Sequence, residues 1–197
     1  RILSVGWINE RKNTLGSINA FALIAGSCPH VKLVIAGQAK EHEYLSRVQQ
    51  SIEKHGIADR VEMLGHIDHA RLERELARAS VLLLPSRQEN APMAIAEAMA
   101  TGIAVVAANR CGMPYMVEDG RTGFLIDPES PEQIADRLTR LVNSQQLCDQ
   151  MGQAGHEVAL ERFHPRAVAK KTRAVYKLIC EIPCDEQKDT SLATHPT

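Results

Sequence analysis

Two carboxylates stand eight residues apart in the stretch Pro85-Ser86-Arg87-Gln88-Glu89-Asn90-Ala91-Pro92-Met93-Ala94-Ile95-Ala96-Glu97-Ala98-Met99-Ala100-Thr101-Gly102. A carboxylate accepts hydrogen bonds in pairs, so Glu89 and Glu97 together suit a ligand rich in hydroxyls. The apolar run Val81–Leu84 before them reads as a buried strand, and small helix formers come after, so Glu89 falls in the turn between. Asn90-Ala91-Pro92 reads as a helix start, with Asn90 as the cap and proline inside the first turn. Glu97 then lies about one and a half turns into the helix, close to the mouth that the turn forms. The free backbone N–H groups of residues 90–93 make a site for a diphosphate, with the amides of Ala91 and Met93 as candidates because Pro92 has no donor. Taken singly, Glu97 would pass for a solvated helix residue and Glu89 for a loop carboxylate.

The rest of the chain supplies the frame that such a strand–turn–helix needs. Apolar runs predict strands at residues 2–5, 31–36, 61–64, 81–84, 104–108 and 123–126, several closed by a glycine such as Gly6, Gly37 or Gly65. Helical spacing predicts a helix over 14–25 capped by Asn13 or Thr14, with Leu15, Ile18, Phe21, Ala22 and Ala25 on its buried face. Further helices are predicted over 41–55, after an Asp68 cap to about 79, over 92–100, briefly over 115–117, to about 143 after Ser130-Pro131-Glu132-Gln133, over 145–162 and over 165–180. The Ser130 sequence matches a capping box with proline at the first helical position. Gly112 is expected to serve turn geometry alone. Six alternations of strand and helix predict an α/β fold, one parallel sheet with helices on both faces.

Composition agrees with a single domain. The chain has 197 residues, 44% of them hydrophobic, and a formal charge of -1. Near-neutral charge gives no reason to expect nucleic acid as a partner. Five cysteines at irregular spacing (Cys28, Cys111, Cys148, Cys180, Cys184) argue for free thiols and a cytoplasmic, reducing setting. No run is long or apolar enough to span a membrane. The opening Arg1-Ile2-Leu3-Ser4-Val5 enters a strand at once, so the chain is expected to be a fragment cut at a domain boundary. Residues 1–180 read as the domain, and the polar, aperiodic 181–197 as a disordered tail.

Pro-Ser-x-x-Glu, seven residues, then Glu-Ala-Met-Ala-x-Gly resembles the signature of retaining glycosyltransferases with the two-domain, Rossmann-like GT-B architecture. Within them it is similar to the large group that includes glycogen synthase, sucrose synthase and many bacterial mannosyl- and glucosyltransferases. The resemblance runs from about Ile2 to Ile179 and is to the C-terminal, donor-binding half. It implies a Rossmann-like parallel sheet of about six strands, one half of a GT-B fold. It also implies that Glu97 holds ribose hydroxyls and that Glu89 approaches the donor sugar. Lys12 falls at the lysine that clamps the diphosphate. Trp7 stands where that family usually has a second cation, an arginine, a role left to Arg11. By the same resemblance the turns carrying Gly6, Gly37 and Gly65-His66-Ile67 line the pocket, the last meeting the base largely through its backbone.

The sequence has no Gly-x-Gly-x-x-Gly after its first strand, no Gly-x-x-x-x-Gly-Lys-Ser/Thr phosphate loop and no Asp-x-Asp pair. No metal and no cofactor are expected, and charge on a leaving diphosphate falls to Lys12, Arg11 and the helix terminus. The implied substrate is a nucleotide diphosphate sugar (GDP-, UDP- or ADP-linked). The acceptor, a glycan, lipid or small molecule, would be held by an N-terminal domain absent from this chain. The intact protein would transfer the sugar with retention of anomeric configuration. Peripheral membrane association of that intact protein is compatible with this reading. Two other functions use the same loops: a nucleotide-sugar 2-epimerase, and a non-catalytic nucleotide-sugar-binding module.

Overall fold

A computed structural model describes residues 1–181. Six strands form one sheet: β1 (Ile2–Val5), β2 (Leu33–Ala36), β3 (Val61–Gly65), β4 (Val81–Leu84), β5 (Ala104–Ala108) and β6 (Gly123–Ile126). They lie in the order β3-β2-β1-β4-β5-β6, and every neighbouring pair is parallel. The chain therefore walks outward from β1 to β3, crosses back over the sheet, and walks outward again from β4 to β6. Right-handed crossovers then put the helices of the two halves on opposite faces.

The helices are α1 (Thr14–Ala25), α2 (His42–Lys54), α3 (His69–Arg78), α4 (Met93–Ala100), α5 (Pro131–Val142), α6 (Gln145–Arg162) and α7 (Pro165–Glu181). α1 packs against α2 and α5, while α6 lies against α4, β5 and β6. Because helices cover both faces, β2, β4 and β5 are buried along their whole length, which is why they read as continuous aliphatic runs. The core is built on these strands with Phe21, Ile18, Ile95, Met99 and Met113 from the layers above and below.

Several boundaries differ from the sequence expectation for local reasons. β2 starts at Leu33 rather than 31 because the Arg60 guanidinium takes the carbonyls of Ala25, Cys28 and Val31 at 2.6–3.1 Å. That clamp bends the chain before the strand begins. α1 buries Gly16, Ser17, Ala20 and Ile24 as well as Ile18, Phe21 and Ala25, while Leu15 and Ala22 are only partly covered. It is wedged between two other helices and the sheet, so its buried face is wider than one stripe. The turn expected near 115–117 is a single 3-10 turn at Met113–Tyr115.

The Ser130 cap is half of a capping box. Its hydroxyl accepts the Gln133 N–H at 3.2 Å, but the Gln133 carboxamide oxygen accepts instead from the Asp127 N–H. The reciprocal arm thereby ties β6 to α5.

α7 packs chiefly on α6 and leaves Val175, Tyr176, Leu178 and Ile179 more than half exposed. It runs to Glu181, one residue past the expected end. The expected tail beyond it, with Cys184, lies outside the described residues. Cys28, Cys111, Cys148 and Cys180 are free thiols. Among the described residues no helix is long and apolar enough to cross a membrane.

Candidate functional site

β1 and β4 are neighbours, yet the loops that leave them turn toward opposite faces, and a crevice opens where they part. The loop after β1 and the loop after β4 line that crevice and are bonded to each other. The Arg87 N–H donates to the Arg11 carbonyl at 2.8 Å. Lys12 Nζ lies 2.7 Å from Glu89 Oε1, and Arg11 Nη1 lies 2.6 Å from the same oxygen. Arg11 Nη1 also donates to the Gln88 carbonyl at 2.9 Å. The side chains of Lys12 and Glu89 are only 14% and 12% exposed, against 44% for Arg11. One ammonium and one guanidinium thus converge on a largely desolvated carboxylate. Lys12 has three donors and spends one here, so its remaining N–H groups are available to a ligand.

The β1 loop is shaped to make this approach. Gly6 sits at φ +137, and a Cβ there would fall 2.7 Å from Lys12 Cε, so only glycine lets the lysine stem fold back over the loop. Asn9 Oδ1 accepts the Lys12 N–H at 2.9 Å. Asn13, 2% exposed and left-handed at φ 56, caps α1 through Gly16 and donates its amide to the Pro128 carbonyl at 2.7 Å. Asparagine tolerates that backbone and bonds on both sides, which fixes Lys12 from its C-terminal flank.

The start of α4 corrects the sequence expectation. Asn90 is not the cap. Pro92 is, without a side-chain bond, and the helix begins at Met93. The reason lies in the next loop: the Gly112 N–H donates to the Glu89 carbonyl at 2.9 Å, and a Cβ on Gly112 would fall 1.3 Å from the Asn90 carbonyl oxygen. Residues 89 and 90 are held sideways against residue 112, so they cannot wind into the helix. Gly112 itself has an ordinary right-handed backbone (φ -83), so glycine is needed there for close approach, not for turn geometry. Among the described residues the amides of Ala91, Met93 and Ala94 have no hydrogen-bond partner. These N–H groups carry the positive end of the α4 dipole into the crevice. Glu97 lies one turn beyond Met93, on the same side of α4, partly buried, and its carboxylate has no partner among the described residues.

Gly6, Gly37, Gly65, His66 and Ile67 come together at the carboxyl ends of β1, β2 and β3. The Gly6 N–H donates to the Ala36 carbonyl and the Gly37 N–H to the Gly65 carbonyl, so the three loops run on as a ladder past the strands. A Cβ on Gly37 would fall 1.7 Å from the Gly6 oxygen. A mostly apolar cleft of ≈ 270 Å³ opens beside this ladder, with Trp7, Gln38 and His66 among its lining residues. Lys40 Nζ stands 4.5 Å from the centre of the Trp7 ring. A second, more polar recess of ≈ 380 Å³ is lined by Arg11, Gln88, Glu89, Asn90 and Ala91.

Sequence reasoning offered Asn13 as a helix cap, which it is, but not its left-handed backbone or its bond to Pro128, and it did not single out Lys40 or the ion pairs of Arg87. Asparagine flanking a loop is a usable signal for a left-handed turn, but a cation over a ring and a long-range ion pair leave none. Among the described residues no three His, Cys, Asp or Glu side chains cluster as metal ligands.

Comparison with known proteins agrees with this fold. Residues 1–158 match the family model for glycosyl transferases group 1. The chain is 36% identical over 141 residues to D-inositol 3-phosphate glycosyltransferase of Corynebacterium diphtheriae, which covers 72% of this chain and 32% of that protein. It is 26% identical over 178 residues to alpha-D-kanosaminyltransferase of Streptomyces kanamyceticus, covering 90% of this chain and 45% of the relative. The crystal structure of Anabaena HepE in complex with UDP superimposes with a TM-score of 0.80 at 25% identity, over 91% of this chain and 48% of HepE. The chain therefore spans less than half the length of these relatives. A family match over most of the sequence, on a six-stranded parallel sheet with its crevice at β1 and β4, places this chain among the group 1 glycosyl transferases.

Proposed function

We propose that this chain is the donor-binding domain of a glycosyltransferase and that its ligand is a nucleoside diphosphate sugar. The observation that carries the reading is the convergence of Lys12 and Arg11 on Glu89, beside the unpartnered amides at the start of α4. A diphosphate needs two or more cationic or N–H donors held within reach of its oxygens, and this crevice supplies both kinds. The base enters the cleft beside Gly37, Gly65, His66 and Ile67. Glu97 accepts from the ribose hydroxyls, and Glu89 from the donor sugar. That HepE is solved with UDP supports the same class of ligand here.

In transfer, the bond between the anomeric carbon and the diphosphate oxygen breaks through an oxocarbenium-like transition state. An acceptor hydroxyl attacks on the face the diphosphate leaves and passes its proton to the leaving diphosphate oxygen, and anomeric configuration is retained. Lys12, Arg11 and the α4 terminus neutralise the charge that grows on the leaving oxygen, with no metal required. The acceptor sits on an N-terminal domain outside this chain, which meets the exposed apolar side of α7.

The test is calorimetric titration of the chain with UDP, GDP and ADP, each beside its nucleoside monophosphate. The reading expects at least one base for which the diphosphate binds about tenfold more tightly than the monophosphate, the effect of one or two charge-assisted hydrogen bonds. Absence of such a preference for all three bases rules the reading out.

A further inference from the structure

Outside the residues assigned so far, the densest set of charged contacts surrounds Arg87. Its side chain reaches two other loops. Nη1 donates to the Glu10 carbonyl at 2.7 Å and to the Glu10 carboxylate at 2.8 Å. Nε and Nη2 form a two-pronged pair with the Glu129 carboxylate at 2.7 and 3.0 Å. Its own backbone N–H holds the Arg11 carbonyl. One residue of the β4 loop therefore grips two consecutive carbonyls of the β1 loop, at residues 10 and 11, and anchors them to the segment between β6 and α5. Arg110 Nη1 extends the set from the β5 loop at 3.6 Å from Glu129, and Arg47 from α2 at 3.5 Å from Glu10.

We infer that Arg87 is a positioning residue for the diphosphate site: by fixing the carbonyls of Glu10 and Arg11 it sets where the Arg11 and Lys12 cations stand relative to Glu89. The inference rests on the nucleoside diphosphate reading of that site. The guanidinium fork is what these contacts require, because Nη1 serves two oxygens of Glu10 while Nε and Nη2 together serve the two carboxylate oxygens of Glu129. A lysine has donors but no planar fork, and can reach the Glu10 carbonyl or the Glu129 carboxylate, not both in register. The pairing with Glu129 holds the Arg87 guanidinium above, and the Glu129 carboxyl below, their ordinary pKa ranges, so both stay charged at neutral pH. Arg87 touches no ligand in this scheme. Its effect should appear only on the part of the ligand that Arg11 and Lys12 grip.

The ratio of monophosphate to diphosphate dissociation constants isolates that part. In the chain with Arg87→Ala or Glu129→Gln, the ratio for the preferred base is expected to fall from about tenfold to about two- or threefold. The monophosphate constant should stay within about twofold of the parent. Arg87→Lys is expected to restore less than half of the lost preference. A folded Arg87→Ala protein with the parent's ratio overturns the inference, and so does an equal weakening of mono- and diphosphate. If Arg87→Ala does not fold, Glu129→Gln decides by the same ratio. A parent with no diphosphate preference at all overturns the nucleoside diphosphate reading and this inference together, before any variant is compared.

Discussion

Lys12 Nζ sits 2.7 Å from Glu89 Oε1 across the boundary between the two halves of the sheet. Neither side chain is more than 14% exposed, so Glu89 is what compensates Lys12 for lost water, while Glu89 itself is compensated by Lys12 and Arg11 together. Lys12→Ala is expected to weaken nucleoside diphosphate binding by about ten- to a hundredfold, the effect of losing one strong charge-assisted contact. It should also lower stability by about 1–2 kcal/mol, because Glu89 is left with the half-exposed Arg11 alone. Titration calorimetry and denaturant melts of the single variants and of Lys12→Ala/Glu89→Ala check this. The double variant should lose less stability than the two singles added together.

Glu97 offers the opposite combination, because no described residue uses its carboxylate. Glu97→Gln should leave stability within about 0.5 kcal/mol of the parent. Its expected effect is on ligand binding, about tenfold. The parent should prefer a ribonucleoside diphosphate over its 2′,3′-dideoxy analogue, and the variant should not. A variant that keeps the preference removes Glu97 from the ribose.

Two glycines carry the loops past one another with no room for a methyl group. Gly37→Ala would drive its Cβ into the Gly6 carbonyl, and Gly112→Ala into that of Asn90. Each should destabilise by about 1–3 kcal/mol and also weaken nucleotide binding, because the shifted backbone is itself part of the site. Gly26→Ala is the control. That glycine has a right-handed backbone and open space around it, so thermal melts should show little change.

Tyr44 is 3% exposed, and its hydroxyl oxygen accepts the Leu15 N–H at the start of α1. Burial raises the phenol above its ordinary pKa, against a smaller opposing effect of that hydrogen bond. A raised folded pKa means that the contribution is complete below about pH 10 and is lost as pH climbs through the folded value. The parent is therefore expected to lose stability in alkali more steeply than Tyr44→Phe. At neutral pH the phenylalanine variant should be less stable by about 1 kcal/mol, since the Leu15 N–H loses its acceptor. Denaturant midpoints between pH 7 and 11 measure both.

How much of this could be read from the chain depended on how local each cause was. Val81–Leu84 and Ala104–Ala108 are continuous aliphatic runs because both faces are covered, and their bounds needed no structure. Asp68 and Ser130 each accept a bond three residues on, and both caps show in the sequence. The β2 start and the α4 start were misplaced for one kind of reason. A residue far along the chain, Arg60 in one case and Gly112 in the other, occupies the backbone groups that would have extended the element. The meeting of Lys12, Arg11 and Glu89 was legible only through the family motif, because residue spacing says nothing of which loops adjoin. The Arg87 pairs, which no motif marks, were out of reach.

The glycine ladder at Gly6, Gly37 and Gly65 has a consequence for how this site can change. Its floor is main chain, and main chain is the same whatever amino acids evolve nearby. Substitutions around the cleft will therefore drift without altering its depth or its hydrogen-bonding face. On the proposed reading, retuning the preference for one base over another has to work at the rim, through side chains such as Trp7, Gln38 and His66 that line the cleft.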